Sequence, residues 1–232
     1  MTKEARLFNV ADVRVSTVDK HTKEGEVPVR LCNYVDVYKN ELVENDFDFM
    51  AATCTGDELR RFRVRVGDVL FTKDSETADD IGIPAFIAST AADLVCGYHL
   101  ALARPNIKLV DPKFLFWRLN SKPAFDYWST RANGVTRVGL RQDDIRHLPL
   151  GVLPSVEEQR AIAGFLDQET AQIDAMLAAV GAGDARPGAA SSASRGSTLI
   201  ALLRERRSAL ITAAVTGRVD PETGKERPQE DS

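Results

Sequence analysis

The clearest pattern in the chain lies in its C-terminal third. Beyond Ser155, the residues Ile162, Phe165, Leu166, Ile173, Met176, Leu177 and Val180 recur at three- and four-residue intervals, with Glu157, Arg160, Gln168 and Gln172 beside them. That spacing places the apolar side chains on one stripe of an α-helix. Ser155 with Glu158 three residues later predicts a capping box, in which each side chain satisfies a free backbone N–H of the other residue. A second stripe, Leu199, Leu202, Leu203, Leu210 and Ala213, predicts a helix over 198–218, ended by Gly217 and Pro221. Between the two, 13 of the 17 residues from 181 to 197 are Gly, Ala or Ser, a flexible linker with an r.m.s. span of roughly 23 Å. Residues 219–232 read as a polar, frayed tail. An amphipathic helix of this length is marginal alone in water. The stripes are therefore expected to pack, either on the chain's own domain or on partner helices, through Ile162, Phe165, Leu166, Ile173, Met176, Leu177, Leu199, Leu203 and Leu210.

Upstream the period is two. VPVRLCNYVDVY (27–38) alternates and reads as a half-buried strand; FRVRV (62–66), VLFT (69–72), PAFIA (84–88) and LVCGYHLALA (94–103) read as further strands between polar loops. At Asp111-Pro112 the period changes. Asp is a good N-cap and Pro suits the first helical position, so KFLFWRLNS reads as a short helix. Another begins near Ser121-Lys122-Pro123 and carries Phe125 and Trp128, read as core. The expected fold class is α+β: a mixed sheet-and-helix domain over 1–150, then a helix within 151–180 and coiled-coil-like packing with the second helix.

Composition changes this picture little. The chain has 232 residues, 44 % hydrophobic and 28 % charged, the ordinary globular mix. No apolar run approaches the ~20 residues that span a bilayer, and MTKEARLF lacks a signal-peptide core, so no membrane partner and a cytoplasmic location are expected. Cys32, Cys54 and Cys96 have no metal-ligand spacing and read as reduced, buried thiols. His21, His99 and His147 are equally scattered.

Charge matters more. The net charge is −4, and residues 1–150 hold 21 Lys and Arg against 22 Asp and Glu. A protein that holds DNA unaided usually carries a basic excess. Here the basic residues must be segregated on one face, or a partner must supply phosphate contacts.

The motifs that carry catalysis are missing: no GxSxG, no HExxH, no phosphate-cradling glycine loop, no dinucleotide fingerprint. The residue mixtures that remain suit contact with DNA. FTKDSET leaves a strand with a donor (Lys73), acceptors (Asp74, Glu76) and hydroxyls (Ser75, Thr77), the kinds of group that read base edges. With Asp79 and Asp80 the same loop offers carboxylates that can ligate Mg²⁺, or it is simply solvated. NGVTRVGLRQ combines Gly134 and Gly139, which let backbone approach phosphate, with Thr136, Arg137 and Arg141 as donors. Lys20, His21, Thr22 and Lys23 form a small polar-basic turn. The candidate DNA contacts are therefore Lys20, Lys23, Lys73, Asp74, Ser75, Thr77, Thr136, Arg137 and Arg141, with no catalytic or metal-binding residues.

LPLGVLPSVEEQRAIAGFLDQETAQIDAML, joined to LLRERRSALITAAVTGRVD, resembles the helical region of type I restriction–modification specificity (S) subunits. Pro149, Leu150, Pro154, Glu158, Gln159, Ile162, Phe165, Leu166, Asp167, Thr170, Ile173 and Asp174 match the first block of the family pattern. Glu205, Arg207, Ala209, Leu210, Ile211, Ala214, Val215, Thr216, Gly217 and Asp220 match the second. The resemblance covers about 60 residues and places residues 1–150 where the family has a target recognition domain. It implies a non-catalytic subunit that reads double-stranded DNA and docks methyltransferase (M) and restriction (R) subunits. S-adenosylmethionine, ATP and Mg²⁺ would then belong to those partners, with no cofactor on this chain. The family has two recognition domains and two helical regions; this chain has one of each. As a half-subunit it would form a homodimer or pair with another S half to read a bipartite site. The alternative is a truncated assembly module that pairs with S or M subunits without reading DNA. The Gly/Ala/Ser segment also departs from the family's more continuous helix.

Overall fold

The structure, a computed structural model, describes residues 4–180 and 198–227. The chain begins with β1 (Ala5–Arg6), α1 (Leu7–Val10), β2 (Ala11–Val15), β3 (Val27–Cys32), α2 (Tyr34–Lys39), β4 (Leu42–Val43), β5 (Met50–Cys54) and α3 (Gly56–Phe62). It continues through β6 (Val69–Thr72), β7 (Asp74–Ser75), a 3-10 turn (Ala78–Asp80), β8 (Pro84–Ile87), β9 (Leu94–Cys96) and β10 (Leu100–Pro105). Then follow α4 (Pro112–Leu119), α5 (Lys122–Arg131), β11 (Val138–Gly139), α6 (Gln142–Arg146), β12 (Pro149–Gly151), α7 (Val156–Ala179) and α8 (Thr198–Val215). The fold class is α+β, as expected.

A five-stranded sheet, ordered β2-β10-β6-β8-β4, is the middle of three layers. Its central strands are buried on both faces, and the alternation that a strand imposes on its side chains sorts them between two cores. Val69 and Phe71 of β6, Phe86 of β8, and Ala101 and Ala103 of β10 face a helical layer. That layer contributes Phe114 and Phe116 from α4, Trp128 from α5, and Ile162 and Leu166 from α7. Leu70, Ile87, Leu100 and Leu102 face the opposite way, onto the three-stranded sheet β5-β3-β9 and Phe62. Each Val, Leu, Ile or Phe side chain among them contributes about 1.5–3 kcal/mol by leaving water.

Several expected strands differ in the structure. The 27–38 stretch is β3 only as far as Cys32, and residues 34–39 form α2. Asn33 accepts from Val35 N (2.9 Å) and its own N–H donates to Asp36 (2.8 Å), a local cap that outweighs the alternation of Val35 and Val37. FRVRV is no strand: Thr55 caps α3, Phe62 is its last residue, and Val66 is 63 % exposed. LVCGYHLALA is two strands in two sheets. They part at Gly97, whose N–H donates to Cys32 O (2.8 Å) where an added Cβ would meet the same oxygen at 2.8 Å.

The helices also need correction. Ser155 Oγ accepts from Glu158 N (3.2 Å), but Glu158 turns outward to Arg227 (2.8 Å), so only half of the capping box forms. In α7, Ile162, Leu166, Ile173 and Leu177 are buried and Phe165 is partly buried, whereas Met176 and Val180 are exposed. In α8 the buried row is Leu203, Arg207, Ile211 and Val215; Leu199 (50 %) and Leu202 (54 %) lie toward solvent and Leu210 is half-buried. The stripe is rotated because a charged residue, Arg207, sits in the buried row. Ile162 and Leu166 are spent on the domain's own core, and Ile173, Leu177 and Leu203 join α7 to α8. Residues 219–227 are not frayed: Val219 is buried, bridges Glu226, and Arg227 N donates to Arg218 O (2.8 Å). The 181–197 linker and residues 228–232 lie outside the described residues.

A polar residue fixes the start of α7. Gln159 is fully buried; its Oε1 accepts from Asp111 N (2.8 Å) and its Nε2 donates to Leu109 O (3.3 Å) and Pro154 O (2.9 Å). The Gln159→Leu variant should lose about 1–3 kcal/mol in urea unfolding, because three backbone groups lose their partners. No helix is long and apolar enough to cross a membrane among the described residues.

Candidate nucleic-acid interface

Two of the three polar loops meet. β7 and β11 pair antiparallel, with Ser75 opposite Val138 and Asp74 opposite Gly139, and Leu140 N donates to Lys73 O (2.8 Å). Asn133 and Gly139 exchange both backbone hydrogen bonds (3.1 and 3.0 Å) and close a short loop between them. Val135, Thr136 and Arg137 stand exposed on that loop.

Asp74 organises the floor beneath it. Its Oδ2 accepts from Lys73 Nζ (2.9 Å) and lies 2.8 Å from His99 Nδ1. The Lys73 ammonium also sits 4.6 Å from the centre of the Tyr98 ring, a cation–π contact. On the far side Tyr34 stacks on Tyr38 (5.2 Å, 17°), and the Tyr38 hydroxyl donates to Asp80 Oδ2 (2.8 Å). Burial pushes the Tyr34 phenol up, with the Asp80 charge adding to it. Burial likewise raises Asp80, opposed by the Tyr38 hydrogen bond and reinforced by Glu76. These groups line a cleft of 320 Å³ with Asp74, Glu76, His99 and Arg137. Tyr34 and His99 also belong to a second cavity of 550 Å³, which runs to Lys20 and His21. The two cavities share those two residues and together are termed the groove.

The expected contact residues are thus placed unequally. Lys20, Asp74 and Arg137 line the groove, and Thr136 and Thr77 are exposed beside it. Lys73 and Ser75 lie deeper. Lys73 is 8 % exposed and committed to Asp74; Ser75 is 4 % exposed and its hydroxyl accepts from Thr77 N (3.4 Å). Lys23, 4.0 Å from Glu26, and Arg141, at the start of α6, line neither cavity. Tyr34, Tyr38 and Tyr98, which the sequence does not single out, also line the two cavities, together with His99 and Asp80. The i, i+4 spacing of Tyr34 and Tyr38 signals that pair once 34–39 is read as helix.

All three cysteines are buried and free. Burial raises the Cys32 and Cys96 thiols far above their ordinary range, which suits packing and not reactivity. Among the described residues no three His, Cys, Asp or Glu side chains are grouped to hold a metal ion.

No protein-family model matches the sequence, and no curated protein matches it. Solved structures do. A chain from a study of complex assembly and conformational transition of the type I restriction–modification system superposes with a TM-score of 0.56 at 18 % identity, covering 92 % of this chain and 45 % of that one. An S subunit of a type I system from M. genitalium gives 0.46 at 17 % identity, covering 77 % of this chain and 41 % of that one. The HsdS subunit from Thermoanaerobacter tengcongensis gives 0.46 at 18 % identity, covering 93 % and 45 %. The chain therefore shares its fold with a chain of a type I restriction–modification system, and spans less than half of that chain's length.

Proposed function

We propose that the chain is the non-catalytic sequence-reading component of a type I restriction–modification complex. In this reading it recognises one half of a bipartite DNA site through its groove and docks methyltransferase and restriction subunits. The observation that carries the proposal is the fold likeness over 92 % of the chain. The groove adds chemistry to it: acceptors at Asp74 and Glu76, a donor at Arg137, and backbone loops held rigid by pairing. The net charge of −4 leaves most phosphate neutralisation to the partners. S-adenosylmethionine, ATP and Mg²⁺ belong to those partners in this proposal, and a second S half completes the bipartite site.

Methylation mapping in cells with and without the chain tests it. A defined motif that vanishes with the chain is expected; methylation that persists unchanged sinks the proposal. Asp74→Asn should lower methylation at that motif about tenfold, the cost of one misplaced base contact at about 1–3 kcal/mol, and should also lower the urea midpoint, because the buried Lys73 ammonium loses its charge partner. A second reading, an assembly module that pairs without reading, draws on the burial of Lys73 and Ser75. It predicts that Asp74→Asn and Arg137→Ala leave the motif untouched.

A further inference from the structure

We infer that the 550 Å³ cavity beside the paired loops is a pocket for one unstacked nucleobase of the bound DNA, an inference that rests on reading the chain as a DNA reader. Exposed apolar side chains scattered singly on a surface are ordinary. Here Val35 (49 %), Met50 (45 %) and Tyr98 (49 %) are all exposed and all line one concavity. Buried Val18 and Leu31 lie beneath them, and Gly97 keeps the wall thin, because a side chain there would strike Cys32 O. The volume falls within the ~300–1,000 Å³ typical of small-ligand sites.

The lining selects the ligand. Apolar walls with an aromatic ring suit the flat face of a heteroaromatic ring, and His21 with His99 at the cavity supplies polar groups for its edge. An aliphatic chain would leave those polar groups unused, and a sugar would waste the apolar walls. The Tyr98 ring is held in advance: the Lys73 ammonium sits 4.6 Å from its centre, and His99 meets it edge to face at 5.0 Å. Asp74 grips both Lys73 and His99. A ring so fixed loses little freedom when a base stacks on it. Stacking needs the face of a base, which an intact duplex hides, so the occupant must have left its stack. Lys20, at the cavity mouth, can meet the phosphate that follows.

The methyl groups of Met1, Met50 and Met176 give three signals in the methionine-labelled full chain. Titration with each of the four deoxynucleoside 5′-monophosphates should move Met50 upfield, by the ring current of a stacked base, for at least one of them, while Met176 on α7 stays still. Tyr98→Ala should weaken that binding about tenfold, the loss of one base–aromatic stack, and Tyr98→Phe should retain it. The same Met50 shift should appear when labelled chain in complex with unlabelled methyltransferase subunit binds motif DNA. A stationary Met50 with all four nucleotides, or an unaltered response in Tyr98→Ala, overturns the pocket. A shift with nucleotides but none with motif DNA overturns DNA as the source of the base. If the complex shows no sequence preference at all, the DNA-reading proposal fails, and it does so independently of whether the nucleotides move Met50.

Discussion

Arg207→Met should destabilise the chain by about 3–5 kcal/mol, the range for removing one partner of a buried ion pair. Its side chain is 3 % exposed. Nε and Nη2 donate to the two oxygens of Asp174 (2.9 and 3.1 Å), Nη2 also reaches Glu41 (2.8 Å), and the guanidinium lies 5.7 Å from the centre of the Trp117 ring. One residue thus ties α8 to α7, to α4 and to the segment before β4. Its pKa direction reflects this: burial works against the charge, yet Glu41 and Asp174 together hold it above its ordinary value. Asp174 moves the other way in energy. Burial raises its pKa, Arg207 opposes, and Glu41 adds repulsion. Two carboxylates share one cation, so the cation gains from both while each acid gains from half.

A carboxyl raised above its unfolded value contributes stability below the unfolded pKa and loses it as pH rises through the folded pKa. Ionised Asp174 is therefore a net cost at neutral pH, and Asp174→Asn should change stability far less than Arg207→Met. Because Asp174 is 42 % exposed, the loss for Arg207→Met should fall at the low end of the range. Combining it with Glu41→Gln and Asp174→Asn should recover part of it, since the orphaned charges are gone. Urea unfolding of the four proteins decides the matter. A loss below 1 kcal/mol for Arg207→Met would mean that water already shares the pair.

Arg207 also shows where the sequence becomes hard to read. A periodic pattern equates charge with exposure, so the α8 stripe reads as Leu199, Leu202, Leu203, Leu210 and Ala213, of which only Leu203 lies in the buried row through Arg207. Gln159, polar yet fully buried, escapes the same periodic reading and enters only through the family resemblance. Local chemistry was legible where it stands alone: Asp111 accepts from Lys113 N and Phe114 N, both at 3.0 Å, and α4 starts where Asp-Pro predicts. The apolar runs of β6 and β8 were equally plain. Asn33 misled because Val35 and Val37 alternate like a strand, and only the Asn33–Asp36 cap separates the alternatives. Each loop of the groove could be recognised singly from its residue types. Their pairing could not, because β7 and β11 are far apart in sequence and two residues long, too short to carry a pattern of their own.

That pairing makes Gly134 the position where reading and stability can be separated. Its φ is +149°, and a Cβ there would lie 2.0 Å from Arg137 O and 3.0 Å from Arg137 C. Both atoms are backbone, so no side chain can move aside. Gly134→Ala must open the loop that Asn133 and Gly139 close, and Arg137 must leave its position at the cleft. The surrounding residues are exposed, so the cost to folding should be confined to local strain of about 1–3 kcal/mol. The cost to reading should be larger in ratio. If the loop supplies one or two base contacts worth about 1–3 kcal/mol each, methylation at the motif by the complex should fall about a hundredfold, with methyltransferase docking retained. Arg137→Ala removes one side chain and keeps the loop, and should cost about tenfold. Equal losses in the two variants would place the whole effect in Arg137. Motif methylation by Gly134→Ala at the unaltered rate would show that the loop does not read DNA.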